Sequence, residues 1–95
     1  MNSTNGKKLS QTLTIANELG VHARAAAKIA KLADEACSGV FFIKDGQEVD
    51  ATSVLDIMSL YCPCGTEVTV RITDTSDEKV LNSIARLIKT GFGEL

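Results

Sequence analysis

The only histidine of the chain, His22, lies in the segment GVHAR at residues 20–24, directly before an alanine-rich stretch that predicts a helix. The first backbone N–H groups of a helix have no partner inside it, and the helix dipole adds positive potential there. An anion beside His22 would therefore find donors already directed at it. A neutral imidazole also keeps one ring nitrogen free to attack phosphorus, so a phosphoryl group on this ring would be stabilised.

Basic residues follow His22 at helical spacing. Arg24 lies in the expected first turn, where its guanidinium can pair with phosphate oxygens during transfer. Arg24, Lys28 and Lys31 recur at i, i+4 and i+7, so they form one basic stripe on the predicted helix. On a chain with net charge −2, this stripe is a local landing surface for an acidic partner.

Other interpretations of His22 are an ordinary helix cap, a metal ligand and a hydrolase residue. A metal site is poorly supported because the sequence has no second histidine and no ligand pair of recognised spacing that includes this one. A serine hydrolase would need a Gly-x-Ser-x-Gly elbow, which the sequence lacks. The residues alone leave the ordinary cap open.

Length and composition favour one soluble domain spanning residues 1–95, of which 1–8 form a loose N-terminal extension. The 95 residues, 44% of them hydrophobic, suffice for one modest core. The slight negative charge provides no general field for nucleic acid. No apolar run is long enough to cross a membrane, and the polar opening MNSTNGKK does not resemble a signal peptide. We therefore expect a cytoplasmic protein.

The cysteines support the same compartment. Their number is odd, which does not fit the paired framework of a small secreted domain. Cys62 and Cys64 flank a proline, a spacing too tight for an easy disulfide, and Cys37 follows the first predicted helix. Turn and core positions are their expected roles, with a redox role as the alternative.

Apolar spacing predicts the element order β-α-β-β-α-β-α. Strands are expected at 11–16 and 67–73, and a hairpin at 40–43 and 47–49 around Asp45-Gly46. Helices are expected at 23–36 and 53–61. A last helix, capped by residues 74–76, carries one apolar stripe before Gly91: Val80, Leu81, Ile84, Leu87 and Ile88. This order indicates an α+β fold, a two-layer open-faced β-sandwich with three helices on one face of a four-stranded, mainly antiparallel sheet.

The stretch NELGVHARAAAKIAKLA closely resembles the active-site signature of HPr, the histidine-containing phosphocarrier family of the bacterial phosphoenolpyruvate-dependent phosphotransferase system. The similarity covers residues 9–92 and includes DGQEVDATSV and IMSL. It implies a carrier rather than an enzyme: enzyme I charges His22 on Nδ1, Arg24 assists, and a sugar-specific enzyme II A-type or regulatory protein receives the group. It implies no cofactor of the chain's own, since Mg²⁺ serves enzyme I only. The family's usual proline after the arginine is Ala25 here.

The second predicted helix has more apolar positions than one surface stripe needs, so some should stay exposed. The sequence alone does not show which. The family resemblance implies that Ile57 and Leu60 point inward. It also implies a docking patch for partner proteins beside His22, formed by Val54, Leu55, Met58, Ala23, Lys28 and Lys31. The alternative is that all the apolar residues of this helix belong to the core.

Ser53 begins the second predicted helix. It is suited to capping, with Asp56 in a capping-box-like position. The resemblance also matches it to the serine that a dedicated kinase phosphorylates in many relatives, where added negative charge would repel acidic partners. Asp56 stands where many relatives carry glycine or lysine.

Alternative functions remain within this resemblance. One is the nitrogen-related branch of the family, which the Asn-Glu-Leu-Gly approach to His22 and the Gly91-Phe92 ending resemble. Another, of a different class, is a regulatory binding module that docks through Val54, Leu55 and Met58 and is gated by Ser53. The intact His22 counts against a purely regulatory module. A small carrier that meets several partners in turn is expected to be a monomer.

Overall fold

The structure is a computed structural model that describes residues 8–95. Its elements in chain order are β1 Ser10–Thr14, α1 Ala23–Ala33, β2 Val40–Lys44, β3 Gln47–Asp50, α2 Val54–Ser59, β4 Glu67–Ile72 and α3 Glu78–Lys89. Short 3₁₀ turns lie at Thr75–Asp77 and Gly91–Gly93. The predicted element order is confirmed. Most of the predicted N-terminal extension, residues 1–7, lies outside the described residues.

The strands form one sheet in the order β1-β4-β2-β3, and every neighbouring pair is antiparallel. Because side chains alternate along a strand, one face carries the buried apolar residues Leu13, Val40, Phe42, Val68, Val70 and Ile72. Residues of all three α-helices join the same core cluster, so the helices cover this face. On the open face Arg71 lies over the ring of Phe41, 4.7 Å from its centroid, and pairs with Glu48 at 2.5 Å. The predicted α+β open-faced sandwich is confirmed.

Several element ends differ from the predicted ones. Asp45 (φ 51°) and Gly46 (φ 80°) form the predicted two-residue hairpin turn. However, α1 ends at Ala33 rather than at 36, because the chain tightens there and the amide of Glu35 bonds to the carbonyl of Leu32 at 3.1 Å. Alanine and glutamate are good helix formers, so composition did not reveal this end. No helix within residues 8–95 is long and apolar enough to cross a membrane.

The second helix is shorter than predicted and is closed by a lysine. α2 ends at Ser59, whereas the prediction extended it to 61. The ammonium of Lys44 donates to the carbonyls of Leu60 at 3.0 Å and Tyr61 at 2.6 Å. A cation that satisfies carbonyls at a helix C-terminus stabilises that end. The end of α2 is therefore fixed by a strand residue, which local sequence does not show.

The start of α3 has two acidic residues with different partners, Asp74 of the predicted cap and Asp77 just beyond it. Asp74 accepts a hydrogen bond from the amide of Ser76 at 2.8 Å and caps the 3₁₀ turn. Asp77, only 3% exposed, makes no helix cap bond. Its carboxylate accepts from the amides of Cys37 at 2.8 Å and Ser38 at 2.9 Å. Asp77 therefore ties the start of α3 to the loop that follows α1.

We expect Asp77→Ala to lower the free energy of unfolding by about 2–4 kcal/mol, because it removes a buried carboxylate and leaves two backbone amides without their acceptor. Urea unfolding followed by circular dichroism measures this loss. Asp74→Ala is the matched control, since it removes an exposed carboxylate that serves only a local turn, and its cost should be clearly smaller. Equal costs for the two variants would contradict the role given to Asp77.

The cysteines occupy core and turn positions, as expected. All three are free thiols. Cys62 is 3% exposed, and burial raises the pKa of its thiol. Cys37 and Cys64 are exposed, and the thiol of Cys64 lies 3.6 Å from the carbonyl oxygen of Ala16. A buried thiol with a raised pKa is a poor nucleophile, so Cys62 is suited to packing.

Candidate functional site

His22 is the N-cap residue of α1, with φ −82° and ψ −179°. Its Nδ1 accepts a hydrogen bond from the amide of Ala25 at 3.2 Å, and its carbonyl accepts from Ala26 at 2.8 Å. The amides of Ala23 and Arg24, the first two helical positions, have no hydrogen-bond partner within residues 8–95. The predicted placement of the ring at a helix N-terminus is therefore confirmed, with backbone donors still free beside it.

The bond from Ala25 depends on the residue that departs from the family pattern. A proline has no N–H and would give Nδ1 no donor at this position. Alanine gives up the fixed φ of proline but supplies this donor. A ring nitrogen that accepts a hydrogen bond carries no proton, so the contact places the ring proton of neutral His22 on Nε2.

The second ring nitrogen of His22 contacts an acidic residue from the far end of the chain. Nε2 lies 2.5 Å from Oε2 of Glu94, whose Oε1 accepts a hydrogen bond from Nδ2 of Asn17 at 2.9 Å. The hydrogen bonds from Asn17 and His22 hold the pKa of Glu94 below its usual range, assisted by the positive charge of Arg24 at 3.5 Å. Glu94 is therefore ionised at neutral pH and accepts the Nε2 proton.

The loop before His22 is held by backbone hydrogen bonds. The carbonyl of Gly20 accepts from Nδ2 of Asn17 at 2.8 Å and from the amide of His22 at 3.0 Å. The amide of Val21 donates to the carbonyl of Cys62 at 2.9 Å, which brings the loop after α2 against it. Gly20 has φ +69°, and a Cβ there would lie 2.6 Å from the same carbonyl oxygen. The loop that leads into His22 therefore requires glycine at position 20.

The basic stripe is present on the surface of α1, but its members are not equivalent. Arg24 is 68% exposed and lies next to Glu94. The ammonium of Lys28 donates to the carbonyl of Phe92 at 2.9 Å, so it also holds the turn that carries Glu94. Lys31 and Ala23 are exposed. Sequence spacing identified the stripe, whereas the engagement of Lys28 depends on tertiary contact.

α2 packs beside α1 and presents part of the predicted docking patch. The residues expected to point inward are buried: Ile57 and Leu60. Leu55 is 79% exposed and Met58 is 38% exposed, as the resemblance implied. Val54 is a correction, because it is half-buried and packs against the core. Val54 is the first residue of α2 and comes soon after Ala51, which is fully buried and holds the start of the helix close to the sheet.

Ser53 is the N-cap of α2, as predicted, and its hydroxyl oxygen accepts from the amide of Asp56 at 3.2 Å. A complete capping box would have the Asp56 carboxylate bond back to the amide of Ser53. That amide instead donates to the carbonyl of Asp50 at 3.1 Å. The capping-box expectation is therefore wrong in its second half, because the preceding turn already supplies the acceptor.

Sequence analysis missed important neighbours of His22 and of the patch. Asn17 was named only as part of the Asn-Glu-Leu-Gly approach to His22, and Glu94 was not singled out. The Gly-Phe-Gly segment before Glu94 marks an unusual turn, but nothing in it indicates where that turn lies in space. Leu19 and Tyr61, which are 68% and 74% exposed, were likewise not singled out.

The open-faced α+β fold and the histidine at the N-terminus of its first helix fit a small phosphocarrier protein, which holds a phosphoryl group and does not turn over a substrate. The family described as PTS HPr component phosphorylation site matches residues 9–90. The chain belongs to this HPr family and is a phosphocarrier of the phosphotransferase system.

Curated relatives span both branches of the family. The chain is 36% identical over 86 residues to the phosphocarrier protein HPr of Cupriavidus necator, covering 90% of this chain and 97% of the relative. It is 33% identical over 87 residues to the phosphocarrier protein NPr of Shewanella violacea, covering 92% of this chain and 96% of that one. Similarity in sequence therefore extends over nearly the full length of each relative.

Solved structures share the fold. HPr-C-His from Thermoanaerobacter tengcongensis matches with a TM-score of 0.85 and 32% identity, covering 93% of this chain and 99% of that chain. Crh, the catabolite repression containing protein of Bacillus subtilis, matches with a TM-score of 0.67 and 33% identity, covering 83% of this chain and 91% of that chain. Crh is described as a dimer with a swapping domain.

Proposed function

We propose that His22 carries the phosphoryl group, accepting it on Nδ1 from phosphorylated enzyme I and passing it to an acceptor protein. The observation that carries the proposal is the position of Nδ1 at the N-terminus of α1, 3.2 Å from the amide of Ala25. When a phosphoryl group forms its bond to Nδ1, this amide and the free amides of Ala23 and Arg24 can donate to phosphoryl oxygens. The amide of Ala25 therefore changes its acceptor from Nδ1 to a phosphoryl oxygen, and the N-terminus of α1 keeps its conformation.

Arg24 is the proposed electrostatic partner of the transferring group. Its side chain is 68% exposed and lies in the first turn of α1, so its guanidinium can follow the phosphoryl group as a partner approaches. Its guanidinium makes only a long ion pair with Glu94, in which the nitrogen and the carboxylate oxygen Oε2 are 3.5 Å apart. Such a contact in solvent is weak, so the guanidinium is available to a phosphoryl group.

Incubation with enzyme I, Mg²⁺ and phosphoenolpyruvate tests the proposal. We expect one phosphate per chain, labile in acid and stable in base, as a phosphorus–nitrogen bond is. Mg²⁺ serves enzyme I, and the carrier needs no cofactor of its own. Absence of phosphate, or an acid-stable phosphate on another residue, would refute the assignment of His22.

The proposed docking surface combines the exposed part of α2 with the start of α1. Leu55 and Met58 supply apolar area for contact, with a smaller contribution from the half-buried Val54. The basic stripe of α1, Arg24, Lys28 and Lys31, complements an acidic partner, and Ala23 borders the same helix face. This surface serves enzyme I and the acceptor in turn.

The acceptor is either a sugar-specific enzyme II A-type protein or a regulatory protein of the nitrogen-related branch. Relatives named HPr and NPr have similar identities to this chain, 36% and 33%, so both candidates have support. Initial rates of phosphorylation by sugar-type and nitrogen-type enzyme I would separate them. A preference of about ten-fold or more for one donor identifies the branch.

Phosphorylation of Ser53 by a serine kinase, reversed by a phosphatase, is the proposed regulation. Ser53→Asp places a negative charge at the start of α2, on the docking surface, and we expect transfer from enzyme I to slow by about ten-fold through repulsion of an acidic partner. Transfer rates at low and high salt measure this. Ser83→Asp adds the same charge on the exposed side of α3 and should leave the rate unchanged. Equal rates for both variants would exclude this regulation.

We also propose that the carrier works as a cytoplasmic monomer. Its free thiols suit a reducing compartment, and a carrier must uncover the same surface for donor and acceptor. Because Crh forms a dimer with a swapping domain, the oligomeric state needs a direct test. Sedimentation equilibrium at micromolar concentration distinguishes a monomer from such a dimer.

A further inference from the structure

We propose that Glu94 is a positioning residue for phosphoryl transfer: it holds a proton on Nε2 of His22 before, during and after phosphorylation, so that Nδ1 attacks and leaves as a neutral imidazole nitrogen. The proposal rests on His22 being the phosphoryl carrier. It adds a role for a carboxylate that lies 72 positions from the histidine in sequence.

The carboxylate of Glu94 is held by contacts on both oxygens. Oε1 accepts from Asn17 at 2.9 Å, and Oε2 lies 2.5 Å from Nε2 of His22 and 3.5 Å from the guanidinium of Arg24. The side chain is only 20% exposed. Asn17 itself is fully buried, so one of the groups that orients the carboxylate belongs to the core.

The backbone that presents Glu94 is also fixed. Phe92 is 1% exposed and inserts into the core cluster, which anchors the turn. The carbonyl of Phe92 accepts the ammonium of Lys28 at 2.9 Å, and the amide of Glu94 donates to the carbonyl of Gly91 at 2.9 Å. Phe92 and Gly93 both have positive φ, 58° and 80°, which turns the chain sharply back toward α1. Glu94 is therefore positioned by packing and not by chance contact of a free side chain.

Two independent contacts specify the same tautomer of His22. The ionised Glu94 accepts a proton from Nε2, and the amide of Ala25 donates to Nδ1. Each contact by itself requires the proton on Nε2 and the lone pair on Nδ1. The lone pair of Nδ1 is therefore available at the helix N-terminus, once the long bond from Ala25 is released.

The proton on Nε2 keeps the transfer balanced. In the forward step the Nδ1 lone pair forms a bond to phosphorus, while the bond between phosphorus and the donor protein's atom breaks and its electron pair stays with the donor. The ring then carries phosphate on Nδ1 and a proton on Nε2, and its positive charge faces the Glu94 carboxylate. In the delivery step the phosphorus–Nδ1 bond breaks and the lone pair returns to a neutral ring. No proton enters or leaves in either step.

Without the carboxylate, the phosphorylated ring would lose its Nε2 proton to solvent more readily. The leaving group would then be an anionic imidazolate, which is a much poorer leaving group. The titratable groups that face this ring or its partner within residues 8–95 are Arg24 of α1 and Glu94 of the C-terminal turn; Lys28 of α1 binds the same turn. The loop after α2 faces the approach to His22 with the backbone carbonyl of Cys62. Arg24 disfavours a positive ring, so Glu94 is the group that favours it.

The test is the pH profile of phosphate loss from the isolated phosphoprotein, prepared with enzyme I and phosphoenolpyruvate. In Glu94→Gln we expect the midpoint to move down by about one pH unit, so that at pH values above both midpoints hydrolysis and transfer to an acceptor slow by about ten-fold. At low pH, where both rings are protonated, the rates should converge. Glu35→Gln makes the same charge change at an exposed site after α1 and should follow the wild type.

Glu94→Asp separates chemistry from structure, because it keeps the carboxylate on a shorter side chain. We expect its profile to lie between those of the wild type and Glu94→Gln. Coincident pH profiles for Glu94→Gln and wild type would overturn the role of Glu94 while leaving His22 as the carrier. Failure of the wild type to gain phosphate on His22 would instead overturn the proposed function.

Discussion

His22→Ala should abolish phosphorylation by enzyme I, with the initial rate falling by about 10⁴-fold or more. The reason is that the variant has no imidazole lone pair at the helix N-terminus. The other nitrogen-bearing side chains near the site are the guanidinium of Arg24, the ammonium of Lys28 and the amide of Asn17, and none of these groups replaces an imidazole as a nucleophile. Intact-protein mass spectrometry after incubation with enzyme I, Mg²⁺ and phosphoenolpyruvate measures the loss directly.

Controls for this variant must separate chemistry from folding. Within the described residues, 8–95, the ring of His22 makes only a cap bond and the contact with Glu94, so the variant should still unfold cooperatively. Arg24→Lys keeps the charge but loses the planar fork, and its rate should fall by about ten-fold without being abolished. Acid-labile phosphate on His22→Ala at a rate near that of the wild type would show that another residue is the acceptor.

Gly20→Ala is expected to lower the free energy of unfolding by about 2–4 kcal/mol, although Gly20 does no chemistry. One part of this cost is the left-handed backbone, φ +69°, which disfavours any Cβ. The other part is steric, because the new Cβ would lie 2.6 Å from the carbonyl oxygen of Cys62 and 2.8 Å from Cα of Pro63. Both are backbone atoms, so relief requires moving the loop that presents His22.

Gly46→Ala is the matched control for this prediction. Gly46 also has positive φ, +80°, but a Cβ there would meet nothing within 4 Å. Its cost should be about 1 kcal/mol, the backbone part alone. Chemical denaturation gives the free energy of unfolding of both variants, and the difference between them measures the close contact of the new Cβ at position 20 with the loop after α2. Phosphorylation should slow only in Gly20→Ala. Equal destabilisation by the two substitutions would mean that the contact with Cys62 is unimportant.

The predicted elements were confirmed where the pattern depends on short-range spacing. Val68, Val70 and Ile72 alternate in β4 and are buried, as period two requires. Asp45-Gly46 forms the hairpin turn because both positions accept positive φ. The predicted stripe of the last helix is correct in its centre, and Val80 and Leu87 at its edges are only partly buried.

Errors arose where a boundary or an orientation depends on a distant group. α1 stops at Ala33 although helix-forming residues continue, since the loop after it is bound by the carboxylate of Asp77. Val54 is half-buried rather than fully outward, because the buried start of α2 holds part of its side chain against the core. Neither Asp77 nor the sheet beneath α2 lies within the local window that propensity and periodicity describe.

The sequence by itself determined the chemistry-bearing residue and its immediate setting: His22 beside a helix N-terminus, with Arg24 in the first turn. These features follow from composition and spacing over a few residues, because capping and helix formation are local. Only the tertiary structure decided which ring nitrogen faces the helix and which meets Glu94. That pairing joins residues 72 positions apart and exists because Phe92 packs into the core and brings its turn against α1, a contact that no local pattern encodes.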